Sequence, residues 1–290
     1  MTTLRDIAEL VRAPAALSVP GDAVAGAAAA GTLGLGTAGL SAAAVCLYWA
    51  GMAANDWADR NLDARERPGR PIPSGRVPAS TALRAALGLS AAGVALAGLA
   101  GGRRALAVAV PLTGAVWCYD MKLKATAAGP AAMAACRGLD VLLGASAATR
   151  PGSWRRAMMP ALTVAAHTYT VTALSRREVT GGDRLLPGAT LAGTAGVAAA
   201  AATAPATSPG WARWSWGLAA WYAAGYGATQ ARALAAPGAG NMRAAVGAGI
   251  TCLPALQGAL VARSAGPRAG AVVAACAPLG QALSRWLSPT

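Results

Sequence analysis

Apolar stretches of about 18 to 25 residues alternate along this chain with short clusters of charge, which constrains its fold more than any other feature. A helix that long covers the roughly 30 Å of hydrocarbon in a bilayer. The candidate spans fall near 13–34, 37–54, 79–100, 104–120, 127–148, 156–174, 186–204, 212–232, 243–262 and 269–285. The last contains Pro278 and ends in Arg285, so the pattern predicts nine or ten spans. No polar linker longer than a few residues interrupts it, and we expect one all-α integral-membrane domain over 1–290. Only 12% of the 290 residues are charged, about half the usual share of a soluble domain, and Phe is absent while Gly numbers 36. Small residues of this kind suit closely packed membrane helices.

The net charge of +14 would suggest nucleic acid in a soluble protein. Its distribution excludes that partner, because the bases sort by side of a bilayer. One set of loops collects Arg5, Arg12, the arginines from Arg60 to Arg76, Lys122, Lys124, Arg176, Arg177, Arg184, Arg232, Arg243 and Arg285, about fifteen in all. The other set holds Arg103, Arg104, Arg150, Arg155, Arg156, Arg213, Arg263 and Arg268. The positive-inside rule therefore predicts a cytoplasmic N-terminus in a bacterial plasma membrane. Residues 1–12, with Leu4, Ile7, Leu10 and Val11 at helical spacing, read as an interfacial amphipathic helix. The five cysteines show no metal or disulfide spacing.

The acids are scarcer and more one-sided. Asp6, Glu9, Asp56, Asp59, Asp63, Glu66, Asp120, Glu178 and Asp183 all fall on the predicted cytoplasmic side, leaving only Asp22 and Asp140 within spans. The densest cluster is NDWADRNLDARERPGRPIPSGR at 55–76. If the second helix continues through it, Asp56, Asp59 and Asp63 stand at i, i+3 and i+7 on one face. Three neighbouring carboxylates repel one another unless cations neutralise them. Hard oxygen ligands suit Mg²⁺, which completes its coordination with substrate phosphates. Arg65, Arg67, Arg70 and Arg76 carry the planar forks that grip the same phosphates. The expected ligand is a metal-bridged diphosphate.

The string N-D-x-x-D-x-x-x-D at 55–63, led by Asn55 and followed by RPGRPIPSG at 67–75, resembles the first Asp-rich motif and loop of the UbiA superfamily of intramembrane prenyltransferases. That resemblance implies about nine helices around a central cavity, and transfer from an isoprenyl diphosphate, held through Mg²⁺, to a lipophilic and usually aromatic acceptor. It implies that Asp56, Asp59 and Asp63 serve catalysis through the metal. The family's second motif corresponds to SRREVTGGD at 175–183, which departs from the usual paired aspartates. Glu178 is the candidate there for a second Mg²⁺. Asp183 is either a further ligand or the cap of the next helix, and Arg176 and Arg177 are candidates to bind diphosphate directly. YDMKLK at 119–124 matches the family's Tyr-and-Lys element with shifted spacing, so Tyr119, Lys122 and Lys124 are expected near phosphate. LSRWLSPT and SRREVTGG are similar to the EboC-like branch of secondary-metabolite genes. A terpene cyclase on the same fold and a non-catalytic lipid-binding protein are the competing readings.

Polar groups inside spans are costly, hence functional suspects. Arg137 and Asp140 lie three apart in the fifth span, where pairing with each other on the cavity side is expected. Asp22 is expected to face the cavity. His167, about two turns (~12 Å) inward of Ser175, either meets an acceptor head group or satisfies an interhelical hydrogen bond. Trp211, Trp214, Trp216, Trp221 and Tyr222 read mostly as an interfacial belt.

Overall fold

Long runs of Ala, Leu and Val keep the chain helical between its charged loops. The computed structural model describes residues 2–150, 152–203 and 205–276, which form helices and no strand. Thr3 opens α1 (Leu4–Leu10) with a capping box to Asp6, and a short 3₁₀ turn (Ala13–Ser18) leads into α2 (Val19–Ala30). The second apolar segment and the Asp-rich string form one helix, α3 (Leu35–Glu66). It meets no Pro until Pro68, and the residue before a proline is pushed out of the helical region.

The third and fourth segments return as α4 (Ala79–Cys118), broken at Gly102, whose φ of 63° and ψ of −152° leave the helical region. Only glycine takes that conformation without strain. α4 runs into a single π-turn, Tyr119–Leu123. Then come α5 (Gly129–Ala145), the short α6 (Ser153–Arg156), α7 (Met158–Ser175), α8 (Leu185–Thr203), α9 (Pro209–Ala235), α10 (Ala239–Ala265) and α11 (Pro267–Ala274). The nine expected segments are thus helical. α11 begins the tenth, while its far part, Arg285 and the closing LSRWLSPT lie outside the described residues.

By length and apolarity alone, four helical stretches among the described residues suffice to cross a bilayer: Leu35–Glu66, Ala79–Leu123, Leu185–Thr203 and Ala239–Ala265. α2 and α5, with 12 and 17 residues, are shorter than the ~20 needed, and both are packed inside the bundle. They meet at mutual glycines. A Cβ at Gly26 would strike the Val141 carbonyl, and one at Gly144 would strike the Ala23 carbonyl. Such close approach is the usual role of small residues between membrane helices.

The chain reverses at two ends. The 67–78, 119–128, 176–184 and 236–238 connections share one end, where Arg176 Nη1 donates to the Thr126 carbonyl and Gly182 N to the Pro237 carbonyl at 3.0 Å. Gly102, residues 146–150 and 152–157 and the 205–208 turn share the other, where Arg104 Nη1 donates to the Ala148 carbonyl at 2.8 Å. All the acids outside Asp22 and Asp140 belong to the first end.

Candidate active site

The continuation of α3 carries Asp56, Asp59 and Asp63 beyond the apolar core, on successive turns of one face. Asp56 and Asp63 are 5% and 4% exposed, so each needs a counter-charge. Arg70 supplies it to both: its Nη1 lies 2.7 Å from Asp63 Oδ2 and 3.2 Å from Asp56 Oδ1. The loop shapes this contact. Ser74 Oγ donates to the Arg70 carbonyl at 2.7 Å, Val77 N to the Pro71 carbonyl at 2.9 Å, and Gly75 turns at a φ of 74°. Asp56 also receives Arg12 Nη2 at 3.3 Å. Arg12 sits at φ 48° and ψ 51°, the one positive-φ residue other than glycine among those described.

Asp59 pairs with Lys124 Nζ at 2.7 Å. The π-turn that carries Lys124 to α3 also buries Asp120, which accepts from Asn55 Nδ2 at 3.1 Å. Tyr119 opens the same π-turn, next to the buried Asp120. Four carboxylates (Asp56, Asp59, Asp63, Asp120) therefore stand among three cations (Arg12, Arg70, Lys124) at the end of one helix.

Other expected residues stand apart from this cluster. Arg65 is exposed and its Nε reaches only the Asn61 carbonyl at 3.5 Å. Lys122 is exposed. Arg176 and Arg177 are exposed at the same end, Arg176 being bonded to the Thr126 carbonyl. Glu178 is half-buried; its backbone carbonyl accepts from Arg243 Nη2 at 3.4 Å. Asp183 Oδ1 accepts from Leu185 N at 3.1 Å and Leu186 N at 3.5 Å, which makes it the cap of α8.

Two expectations change. Arg76 does not face the carboxylates of α3. It holds α1, with Nη1 at 2.8 Å from Asp6 Oδ1 and 2.7 Å from Glu9 Oε2, and Nη2 at 2.9 Å from Glu9 Oε1. Those acids repeat the i, i+3 spacing that marks α3, the signal that could have revealed the clamp. Thr3 and Arg76 hold the Asp6 carboxyl down at about 2, and Arg76 holds Glu9 below its ordinary range. Arg137, in turn, makes its close ion pair with Asp22 at 2.9 Å and acts on Asp140 only at longer range. The glycine contact between α2 and α5 brings Asp22 within reach, so an interhelical partner replaces the local one.

His167 Nδ1 lies 2.9 Å from the Tyr222 hydroxyl, and Thr170 Oγ1 lies 3.2 Å from that of Tyr226. His167 thus takes the interhelical alternative. Trp214, Trp216 and Trp221 are exposed as a belt requires, whereas Tyr222 is buried.

Among the described residues no three His, Cys, Asp or Glu side chains converge as a ready-made metal nest. The donor chemistry nonetheless fits a hard divalent cation. Asp56, Asp59 and Asp63 offer oxygen ligands, and Asp120 and Asn55 offer more, all in a place where positive charge is already demanded and met by protein cations.

The chain is 39% identical over 110 residues to digeranylgeranylglyceryl phosphate synthase from Methanopyrus kandleri, a match covering 38% of this chain and 40% of that protein. It is 54% identical over 39 residues, 13% of each chain, to the bacteriochlorophyll synthase 33 kDa chain of Rhodobacter capsulatus. The alignment thus spans about 40% of the first relative's length. The fold superposes on a UbiA homologue from Aeropyrum pernix with a TM-score of 0.66 at 17% identity, covering 85% of this chain and 96% of that one. A solved structure of digeranylgeranylglyceryl phosphate synthase gives the same TM-score at 16% identity, covering 90% and 98%. The UbiA prenyltransferase family model matches residues 17–237. This chain, an integral membrane protein, belongs to the UbiA prenyltransferase family.

Proposed function

We propose that this protein transfers an isoprenyl group from an isoprenyl diphosphate to a lipophilic, aromatic acceptor, with Mg²⁺ as cofactor and the acidic end facing the cytoplasm of a bacterial cell. The observation that carries this reading is the pairing at the end of α3. Asp56 and Asp63 share Arg70, Asp56 meets Arg12, and Asp59 meets Lys124. Metal ligands and phosphate-binding cations already stand together and neutralise one another. A magnesium diphosphate brings the complement of each, so charge balance survives an exchange of partners.

Asp56, Asp59 and Asp63 would hold the metal, with Glu178 the candidate for a second ion and Asp183 kept as the cap of α8. When bound, the metal supplies neutralisation of the charge that builds on the diphosphate as the C–O bond breaks. Arg12, Arg70 and Lys124 would donate to phosphate oxygens, with Lys122, Arg176 and Arg177 available at the same end. Tyr119, on the π-turn beside Asp120 and Lys124, would orient the leaving oxygen. Asn55 would hold Asp120 in place beside the Lys124–Asp59 pair. The apolar bundle beneath excludes water from the allylic carbon.

The test is turnover of geranylgeranyl diphosphate by the full chain in nanodiscs with a lipophilic phenol, followed by diphosphate release and product mass. A prenylated phenol supports transfer. A cyclised hydrocarbon or alcohol formed equally without the phenol overturns it in favour of a cyclase.

A further inference from the structure

The interior of the bundle holds charges that the diphosphate chemistry does not use. Arg137 on α5 directs Nε to Asp22 Oδ2 of α2 at 2.9 Å and Nη2 to the Ser18 carbonyl at 3.5 Å. Gln257 on α10 donates to Asp22 Oδ1 at 2.6 Å and to the same carbonyl at 2.8 Å. Asp22 is fully buried, with Gln257 hydrogen-bonded to one of its oxygens and Arg137 ion-paired to the other. Asp140 has neither contact and feels Arg137 only at longer range. It lies about one turn further along α5, is 8% exposed, and its Oδ1 is buried with no hydrogen-bond partner. A buried carboxylate oxygen without a donor is strongly unfavourable, more so among apolar helices.

Register places Asp140 between two packed faces of α5. Cys136 and Leu143 pack into the core shared with α3 and α4, while Val141 and Gly144 meet Gly26 and Ala23 of α2. Asp140 falls between these directions, at the seam of α2 and α3. Asp56 stands about two turns beyond Tyr48 on α3, so this helix runs from the seam to the acidic cluster.

We propose that Asp140 anchors the polar end of the prenyl acceptor, and that this acceptor carries an O–H or N–H donor and no carboxylate. The proposal rests on the transferase reading above. The donor completes the hydrogen bonding that the protein leaves unmet at Asp140. An acidic acceptor would bring a second negative charge to it, while Arg137 is already committed to Asp22.

The test measures binding of three probes to the full chain in nanodiscs: para-butylphenol, para-butylanisole and para-butylbenzoate, which share one skeleton and differ in donor and charge. Wild type is expected to bind the phenol about tenfold more tightly than the other two, as a charge-assisted hydrogen bond implies. Asp140→Leu is expected to erase that preference, and Asp140→Asn, which tests the same point if the leucine variant fails to fold, to cut it severalfold. Equal binding of the three probes by wild type, or a phenol preference that survives in a folded variant, overturns the proposal. Binding of geranylgeranyl diphosphate to wild type is measured in parallel. Its absence would overturn the transferase reading while leaving the phenol preference as an independent result.

Discussion

The two ends of the bundle are both rich in arginine and use it differently. At the acidic end, Arg70 and Arg12 meet carboxylates of α3, and Arg76 meets those of α1. At the far end, Arg104 donates to the Ala148 carbonyl just past α5, and Arg263 to the Ala201 and Ala202 carbonyls in the last turn of α8. Arginine there closes helix ends by satisfying orphan carbonyls. The same guanidinium beside a carboxylate can exchange its partner for a phosphate, whereas a backbone carbonyl has no such alternative. On the proposed reading, Arg12 and Arg70 make that exchange when a diphosphate binds, whereas Arg104 and Arg263 hold helix ends together.

The largest effect should come from the acids. Asp56→Ala and Asp59→Ala are each expected to lower diphosphate release by at least about a hundredfold, the scale of losing one electrostatic stabiliser of the departing group. Steady-state assays of the full chain check this, and unimpaired turnover in either variant would remove the distinction between the ends. Arg70→Ala should weaken geranylgeranyl diphosphate binding roughly tenfold, since it loses a charge-assisted donor and leaves Asp56 and Asp63 less neutralised.

The clamp on α1 gives a smaller effect with a defined pH dependence. Asp6 and Glu9 are held below their ordinary values of 3.8 and 4.5, so their stabilisation is present above those values and lost as pH falls toward about 2. Pepsin should therefore spare the Leu10 region at about pH 5 and cleave it near pH 2. A Glu9→Gln, Asp6→Asn double variant should already be cut at the higher pH, with turnover reduced only a fewfold. Protection unchanged in that variant would mean that α1 docks by Leu10 packing alone. Arg104→Ala, at the far end, should leave turnover within about twofold and lower the thermal midpoint by about 2–4 °C, the cost of one hydrogen bond in a chain of this size.

Much of this was legible in the residues. The helical run through Asp63 follows from an unbroken stretch ending before Pro68, and its i, i+3, i+7 spacing fixes one face whatever the tertiary packing. The break at Gly102 coincides with the gap between two apolar stretches. Partners across helices were not legible. Arg137 is three residues from Asp140 yet bonds Asp22, because the glycine contact of α2 with α5 decides which carboxylate it meets. Arg12 reaches Asp56 only through a left-handed turn that no spacing rule announces. Local periodicity reports faces, whereas the closest approach of helices selects pairs.

The central claim is that the carboxylates of α3 and the cations beside them form one exchangeable site for a magnesium diphosphate. It is tested most directly by titrating geranylgeranyl diphosphate into the full chain in nanodiscs, with Mg²⁺ and with a chelator, for wild type and Asp56→Ala. The account predicts binding at least about tenfold tighter with Mg²⁺ in wild type, and loss of that dependence in the variant. Equal binding under both conditions, unchanged by Asp56→Ala, would contradict it.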